Sequence, residues 1–215
     1  EISGCVRLYS VDQGLHHVPE LAGKHGLKVL LGAWIGGDKL KNDRELAQAI
    51  ALARRLRDQF VMPGFIDTHL HFPQMQVIAS YAANLLEWLN TYTFPEECRF
   101  VETAHAERIA TQFFDEFLRQ GTTTAVAYCS VHKASADAFF AESLKRGSLM
   151  IGGKVMMDRN APQGLLDTPQ LGYDETRAVI EEWHGKGRNH VAITPRFAIT
   201  STPKQMAMTQ KLAEE

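Results

Sequence analysis

Short apolar segments alternate with amphipathic ones along this chain of 215 residues. The apolar segments, such as 122–128 and 149–157, are rich in β-branched and aliphatic residues, which predicts strands. Between them, apolar residues recur every three or four positions, as in Ile109, Phe113 and Phe117, which predicts helices. Apolar strands that alternate with amphipathic helices favour a parallel sheet covered by helices. The expected class is therefore α/β.

The pattern places each element on the chain. The expected strands cover residues 6–11, 28–35, 60–69, 122–128, 149–157 and 191–194. The expected helices end near residues 25–26, begin near Asn42 or Asp43, end at Gly121, cover 135–146 and 174–183, and begin at Thr202. The helix from Asn42 is expected to bury one face made of Leu46, Ala49, Ile50, Ala53 and Leu56.

The number of units suggests a barrel-like but incomplete architecture. A closed (β/α)8 barrel needs eight units and about 250 residues, and this pattern supplies about six βα units. Two strand edges would stay unpaired, and unpaired edges favour pairing with another chain. A homo-oligomer that closes the sheet edges is therefore one expectation.

Composition narrows the choice of partners and compartment. The formal net charge of −2 gives no electrostatic reason to expect a nucleic-acid or membrane partner. No apolar run is long enough to span a bilayer, and no basic-then-apolar leader opens the sequence. The three cysteines are widely spaced, which argues against a disulfide framework and fits a reduced compartment. The expected location is cytoplasmic.

The segment Asp67-Thr68-His69-Leu70-His71 carries the strongest chemical signal. Side chains two positions apart on a strand point the same way, so His69 and His71 would project together from the end of a strand. Neutral imidazole is a common zinc ligand, and carboxyl ends of parallel strands form the active face of α/β folds. The alternative is a chance pair in which one imidazole caps a loop.

Several motifs together resemble one family. The run from Met62 to His71 resembles the first-strand metal motif of the amidohydrolase superfamily. The segments that follow resemble the guanine deaminases within it, in the order and rough spacing of that family: 72–74, 85–89, 92–96, 121–125 and 194–197. The resemblance extends from about Asp58 to Glu215 and implies a metal-dependent hydrolase that converts guanine and water to xanthine and ammonia.

The resemblance implies a role for individual residues. His69 and His71 would bind the metal, zinc or alternatively iron, and Gln74, Arg196 and Phe197 would hold the purine. Amide and guanidinium donors suit the ring acceptors and the carbonyl of guanine, and an aromatic ring suits its face. Taken alone, Arg196 also fits a surface salt bridge and Phe197 a core position. Trp88 and Phe94 fit either a lid over the pocket or anchors under a long loop, with the anchor favoured for Trp88.

The later parts of the family's site are not found in the sequence. The family requires a further metal-binding histidine with a proton-moving glutamate, another histidine and an aspartate, and the catalytic glutamate is absent from this chain. We interpret His105 as a solvated helix residue and His132 as a loop residue bonded to backbone. Because zinc needs about four ligands, two histidines are expected to bind metal weakly or not at all. Activity of the chain alone is therefore doubtful on sequence grounds.

The first 57 residues show a different resemblance. Residues 6–13 and 25–35 resemble two βα units of glycoside hydrolase family 17, a family of β-glucanases with a (β/α)8 barrel. This resemblance implies a chimera in which residues 1–57 precede an amidohydrolase-like part, residues 58–215. Two alternatives to a deaminase follow from it: a non-catalytic recombined barrel scaffold, or a β-glucan-binding remnant.

Overall fold

A computed structural model describes residues 5–8, 15–25, 28–31, 33, 39–55 and 63–215. The strands are β1 (Cys5–Leu8), β2 (Lys28–Leu31), β3 (Phe65–His71), β4 (Thr122–Tyr128), β5 (Leu149–Gly153), β6 (Val155–Met156), β7 (Asn189–Val191) and β8 (Thr194–Pro195). The helices are α1 (Val18–Lys24), α2 (Lys39–Arg55), α3 (Leu85–Trp88), α4 (Phe94–Cys98), α5 (Thr103–Arg119), α6 (Lys133–Arg146), α7 (Pro169–Trp183) and α8 (Pro203–Glu214). No helix in these ranges is both long and apolar enough to cross a membrane.

The contacts divide the chain into two compact units. One unit comprises Glu1–Ile66 and Phe117–Thr123, and the other comprises Asp67–Glu116 and Thr124–Glu215. The predicted boundary near residue 57 lies outside the described residues, as do parts of both segments that resemble the glycoside hydrolase.

The first unit contains a small parallel sheet. Strands β1 and β2 pair with Val6 opposite Val29. Its buried core is formed by Ala22, Val29, Ala33 and Ala49. The predicted apolar face of α2 is only partly correct, because Leu46 and Ile50 are 43% and 41% exposed while Ala49 is fully buried. The small side chain of Ala49 faces the sheet, and the larger aliphatic residues lie beside this contact.

The second unit is built on a longer sheet. Its strand order is β3-β4-β5-β7, and β6 and β8 form a separate pair. Parallel pairing joins β4 to β5, β5 to β7 and β6 to β8. The last residues of the neighbouring strands β3 and β4 lie at one edge of the sheet, because the rings of His71 and Tyr128 stack at 4.8 Å. The predicted parallel α/β class is therefore confirmed.

Two of the predicted strands are each divided in two. The apolar run 149–157 breaks at Lys154 into β5 and β6, and the run after residue 189 breaks into β7 and β8. The backbones approach closely at this break, since a Cβ on Gly153 would lie 2.0 Å from the carbonyl oxygen of Ala192. The Thr194 hydroxyl donates to the carbonyl of Lys154 at 2.5 Å, which replaces a ladder bond with a side-chain bond. The described residues thus contain eight strands where about six were expected.

Aromatic side chains pack between the long sheet and its helices. Phe139 of α6 is fully buried and lies 5.4 Å, between ring centroids, from both Phe72 and Phe114. Its neighbours Phe113 and Phe140 complete the cluster at 6.1 and 5.4 Å. The expected inward face of α5 is confirmed, because Ile109, Phe113, Phe114 and Phe117 are all buried.

The residues at which helices end agree with the predictions more closely than the residues at which helices begin. Gly121 and Gly147 adopt positive φ of 83° and 66° after α5 and α6, which glycine tolerates without a Cβ penalty. Helix α8 begins after Thr202, as predicted, and the Thr202 hydroxyl accepts from the backbone N–H of Gln205. Helix α7 begins earlier than residue 174, because Thr168 caps it and Pro169 occupies its first turn.

Candidate functional site

The two histidines of the DTHLH segment lie together at the carboxyl end of β3. Their ring centroids are 5.3 Å apart and the rings meet edge to face. Both rings contact Tyr128, the last residue of β4: the ring of His71 stacks on it at 4.8 Å, and that of His69 meets it at 5.5 Å. The contact of both imidazoles with one ring places them on the same side of the sheet. The sequence motifs assign no role to Tyr128, although its position at the end of an expected strand is a signal for this edge of the sheet.

Asp67 shapes the backbone before the pair. Its Oδ1 accepts a hydrogen bond from the backbone N–H of His69 at 3.0 Å. A short acidic side chain that bonds the backbone two residues on is a common local arrangement. Asp67 therefore supports the segment that carries both imidazoles.

Burial keeps one imidazole neutral. Desolvation, and then the positive charges of Arg196 and His69, lower the pKa of His71 from 6.5 to about 4. The pKa of His71 therefore favours the unprotonated ring at neutral pH, and an unprotonated ring nitrogen is what a metal ion requires. The effect of Arg196 on the pKa of His71 also indicates that its guanidinium lies within electrostatic range of this ring.

The His71 ring is expected to titrate far below an ordinary histidine. In chelator-treated protein, NMR of the ring signals should give a midpoint near 4, against about 6.5 in urea-unfolded chain. Between these values the unfolded chain binds more protons than the folded one, so the free energy of unfolding should fall as pH falls through this window and level off below it. A midpoint near 6.5 in the folded protein would show that the ring is not desolvated as described.

The histidine pair fits part of a metal site. Imidazole nitrogens from two positions of one strand suit zinc or another borderline metal ion. Within the described ranges no group of three or more His, Cys, Asp or Glu side chains is placed to hold a metal. The pair therefore fits two ligands of a site that needs further ligands.

Two of the predicted purine-binding residues meet at a buried carboxylate. Arg196 donates from Nη1 to Oε2 of Glu97 at 2.6 Å and from Nη2 to Oε1 at 3.3 Å. Gln74 donates from Nε2 to the same Oε1 at 3.0 Å. The ring of Phe94 lies 5.6 Å from the guanidinium carbon of Arg196. Arg196 is thus in a buried pair and not in a surface salt bridge.

Phe197 has a different environment from its neighbour. Its side chain is 47% exposed, which rules out a core position. It lines an open groove of about 300 Å³ together with Pro195 and Met206. An exposed ring next to Arg196 is compatible with stacking on a planar ligand.

One sequence interpretation of a histidine is wrong. His105 is buried, its Nε2 lies 2.9 Å from Oε1 of Glu96, and its ring meets Phe100 edge to face at 5.0 Å. Its Nδ1 lies 2.8 Å from Arg108. The residue lies on the inner face of α5, where a carboxylate satisfies the imidazole, and is not solvated.

The interpretations of His132, Trp88 and Phe94 agree better with the structure. His132 lies between β4 and α6, where burial lowers its pKa and a hydrogen bond with the Gly164 backbone opposes that shift. Trp88 is half-buried and its Nε1 donates to the Ser80 hydroxyl at 2.8 Å, so it anchors the loop before α3. Phe94 packs on a buried cluster that includes Val131, Met157 and Leu165.

Comparison with known proteins identifies relatives over the whole chain. Guanine deaminase from Escherichia coli is 42% identical over 215 residues, which is 100% of this chain and 46% of that protein. A solved structure of E. coli guanine deaminase matches 73% of this chain and 35% of its own, with 49% identity and a TM-score of 0.67. Guanine deaminase from C. acetobutylicum, solved with guanine in its active site, is 30% identical with a TM-score of 0.69 and matches 73% of this chain and 39% of its own. The chain spans less than half the length of these relatives.

A more distant structure shares the fold. An adenosine deaminase from Xanthomonas campestris, solved with bound zinc, is 22% identical with a TM-score of 0.56 over 73% of this chain and 36% of its own. At this identity the likeness shows the fold alone.

The whole-chain alignment corrects the interpretation of the first 57 residues. The match to E. coli guanine deaminase includes them, and nothing supports a glycoside hydrolase family 17 segment or a chimera. Two short βα units carry apolar patterns that many barrels share, so they discriminate poorly between families.

The family model completes this comparison. Residues 60–215 match the model of the amidohydrolase family. This range includes both histidines of β3, Gln74, Glu97 and Arg196. The chain therefore belongs to the amidohydrolase family.

Proposed function

We propose that this chain forms the part of a guanine deaminase that supplies two components of the active site. These components are the first metal ligands and the groups that recognise the purine. The observation that carries the proposal is that His71, whose ring lies 5.3 Å from that of His69, is within electrostatic range of Arg196. The Arg196 guanidinium is held together with Gln74 at one buried carboxylate. The similarity of the whole chain to E. coli guanine deaminase supports guanine as the substrate.

Each group has a defined task in this proposal. His69 and His71 would hold zinc, or alternatively iron, through unprotonated ring nitrogens. The bound ion would lower the pKa of water and supply hydroxide for attack on the ring carbon that bears the amine, giving xanthine and ammonia. Arg196 would donate to the carbonyl of guanine, Gln74 would bond the ring edge, and Phe197 would stack on its face.

The number of metal ligands limits what the chain does by itself. The described residues provide two imidazoles at the site, and a catalytic zinc usually has three protein ligands. We therefore expect weak metal binding and slow turnover from this chain alone. Purine recognition depends on Arg196, Gln74 and Phe197 and does not require the complete metal shell. The cytoplasmic location and the homo-oligomer stay predictions.

Removal of one imidazole tests the metal part of the proposal. Zinc affinity is measured by competition with a chromophoric chelator, and conversion of guanine to xanthine by ultraviolet absorbance. His69→Ala is expected to weaken zinc binding at least about tenfold and to abolish any turnover, because half of the available ligand set is lost.

His184→Ala is the matched control for this experiment. His184 follows α7, and its Nδ1 accepts from the backbone N–H of Val191 at 3.2 Å, so its loss should leave zinc affinity unchanged. Equal zinc affinity in wild type and His69→Ala, with both proteins folded, would reject the metal assignment.

A further inference from the structure

The buried carboxylate of Glu97 accepts three hydrogen bonds from two residues that are distant in sequence, Arg196 and Gln74. Its side chain is 2% exposed and that of Arg196 is 9% exposed. The guanidinium binds both carboxylate oxygens, and the Gln74 amide binds one of them. The Ser130 hydroxyl donates to the backbone carbonyl of Glu97 at 3.0 Å, which fixes this turn of α4 from the other side. Residue 97 is therefore held in place independently of its side-chain partners.

The chemistry of a carboxylate determines how its partners are oriented. An ionised carboxylate accepts hydrogen bonds and cannot donate them, so Gln74 must present Nε2 to Glu97. The Oε1 atom and the second N–H of the Gln74 amide are then left for another partner. The two-pronged contact similarly fixes the plane of the Arg196 guanidinium, whose Nη1 also donates to the Met157 sulfur at 3.9 Å. The N–H groups of Arg196 that bond neither Glu97 nor Met157 are left for a ligand. One carboxylate thus sets the orientation of both predicted recognition groups.

The neighbouring carboxylate shows that this arrangement is specific to Glu97. Glu96 is also buried on α4, but it pairs with Arg99 at 2.6 Å and with His105 at 2.9 Å. Neither partner of Glu96 belongs to the predicted purine site. Buried ion pairs are in general weak contributors to stability, so stability alone gives little reason for a second buried carboxylate here.

We propose that Glu97 is a positioning residue for purine recognition, which holds Arg196 and Gln74 in one orientation and cancels the charge of Arg196. This inference rests on the proposed function. A neutral Arg–Glu pair offers hydrogen bonds without a net charge, so the site prefers a neutral purine, such as guanine, over an anionic one, such as urate. An arginine without its carboxylate would attract the anion instead.

Glu97→Gln tests the proposal because it keeps the shape and removes the charge. Affinities for guanine and urate are measured by equilibrium dialysis of metal-free protein near neutral pH. Glu97→Gln is expected to weaken guanine binding at least about tenfold and to shift the urate-to-guanine affinity ratio toward urate by at least about tenfold. Glu96→Gln, the matched control on the same helix, should change neither value.

A measurement without purine separates this inference from the proposed function. Exchange of the Arg196 guanidinium protons with water, followed by NMR, should be at least about tenfold faster in Glu97→Gln and unchanged in Glu96→Gln. If the wild-type chain binds neither purine but its Arg196 guanidinium protons still exchange slowly, the proposed function is wrong while the contact between Glu97 and Arg196 stands. Guanine affinity unchanged in Glu97→Gln, an unshifted ratio, or unchanged proton exchange would overturn the role of Glu97.

Discussion

Replacement of Lys154 by methionine is expected to lower the free energy of unfolding by about 3–5 kcal/mol. Lys154 is fully buried between β5 and β6, and its Nζ donates to Oδ2 of Asp167 at 2.9 Å. Glu175 lies 3.4 Å from the same nitrogen. Methionine would fill the space of the aliphatic stem but leave a buried carboxylate without its cation, which is the costly half of a broken ion pair.

Urea unfolding followed by circular dichroism measures this effect. Lys145→Met is the matched control, since Lys145 is 71% exposed and its partner Glu142 would keep the ion pair with Arg146 at 2.6 Å. This variant should change stability by less than about 0.5 kcal/mol. The double variant Lys154→Met/Asp167→Asn should recover part of the loss, because the unpaired charge is then removed as well. Stability of Lys154→Met equal to that of Lys145→Met would contradict the buried pair.

Phe139→Ala is expected to cost a similar amount, about 3–5 kcal/mol. The ring is fully buried and contacts Phe72, Phe114 and Phe140 at centroid distances of 5.4 Å. It also packs on β5, since a Cβ on Gly152 would lie 3.0 Å from the ring. Loss of the ring would leave a cavity between α6 and the sheet, which a strand held by parallel neighbours cannot collapse to fill.

The same urea titration compares Phe139→Ala with Phe197→Ala. Removal of the half-exposed ring of Phe197 should lower the free energy of unfolding by less than about 0.5 kcal/mol. Phe139→Leu, which keeps most of the apolar volume, should cost roughly 1–2 kcal/mol and keeps the comparison informative if the alanine variant does not fold. A loss from Phe197→Ala as large as that from Phe139→Ala would contradict the assignment of the two rings to surface and core.

The alternation of strands and helices was predictable, because each element buries one face and therefore repeats apolar residues at its own period. Strand β4 reads as a β-branched and aliphatic run, and its residues alternate between buried and half-buried along the strand. The pairing of His69 with His71 was predictable for a related reason, since a strand places every second side chain on one side. These features depend on local periodicity, which a single sequence shows directly.

The features that the sequence did not show depend on long-range contacts. The break at Lys154 arises from a backbone approach between Gly153 and Ala192, which are far apart in sequence. Glutamate in a helix is usually exposed, so nothing in the α4 segment distinguishes the buried Glu97 from a surface residue. The burial of His105 also depends on a contact between two helices, because its partner Glu96 lies on α4.

Guanine binding tests the central claim most directly. Equilibrium dialysis of metal-free wild type should show saturable binding of guanine and at least about tenfold weaker binding of adenine, whose amine replaces the carbonyl that we propose Arg196 recognises. Phe197→Ala, which we expect to keep the fold, should weaken guanine binding at least about tenfold through loss of the stacking ring. Folded chain that binds no guanine, or binds adenine equally well, would contradict a guanine-recognition site at Arg196.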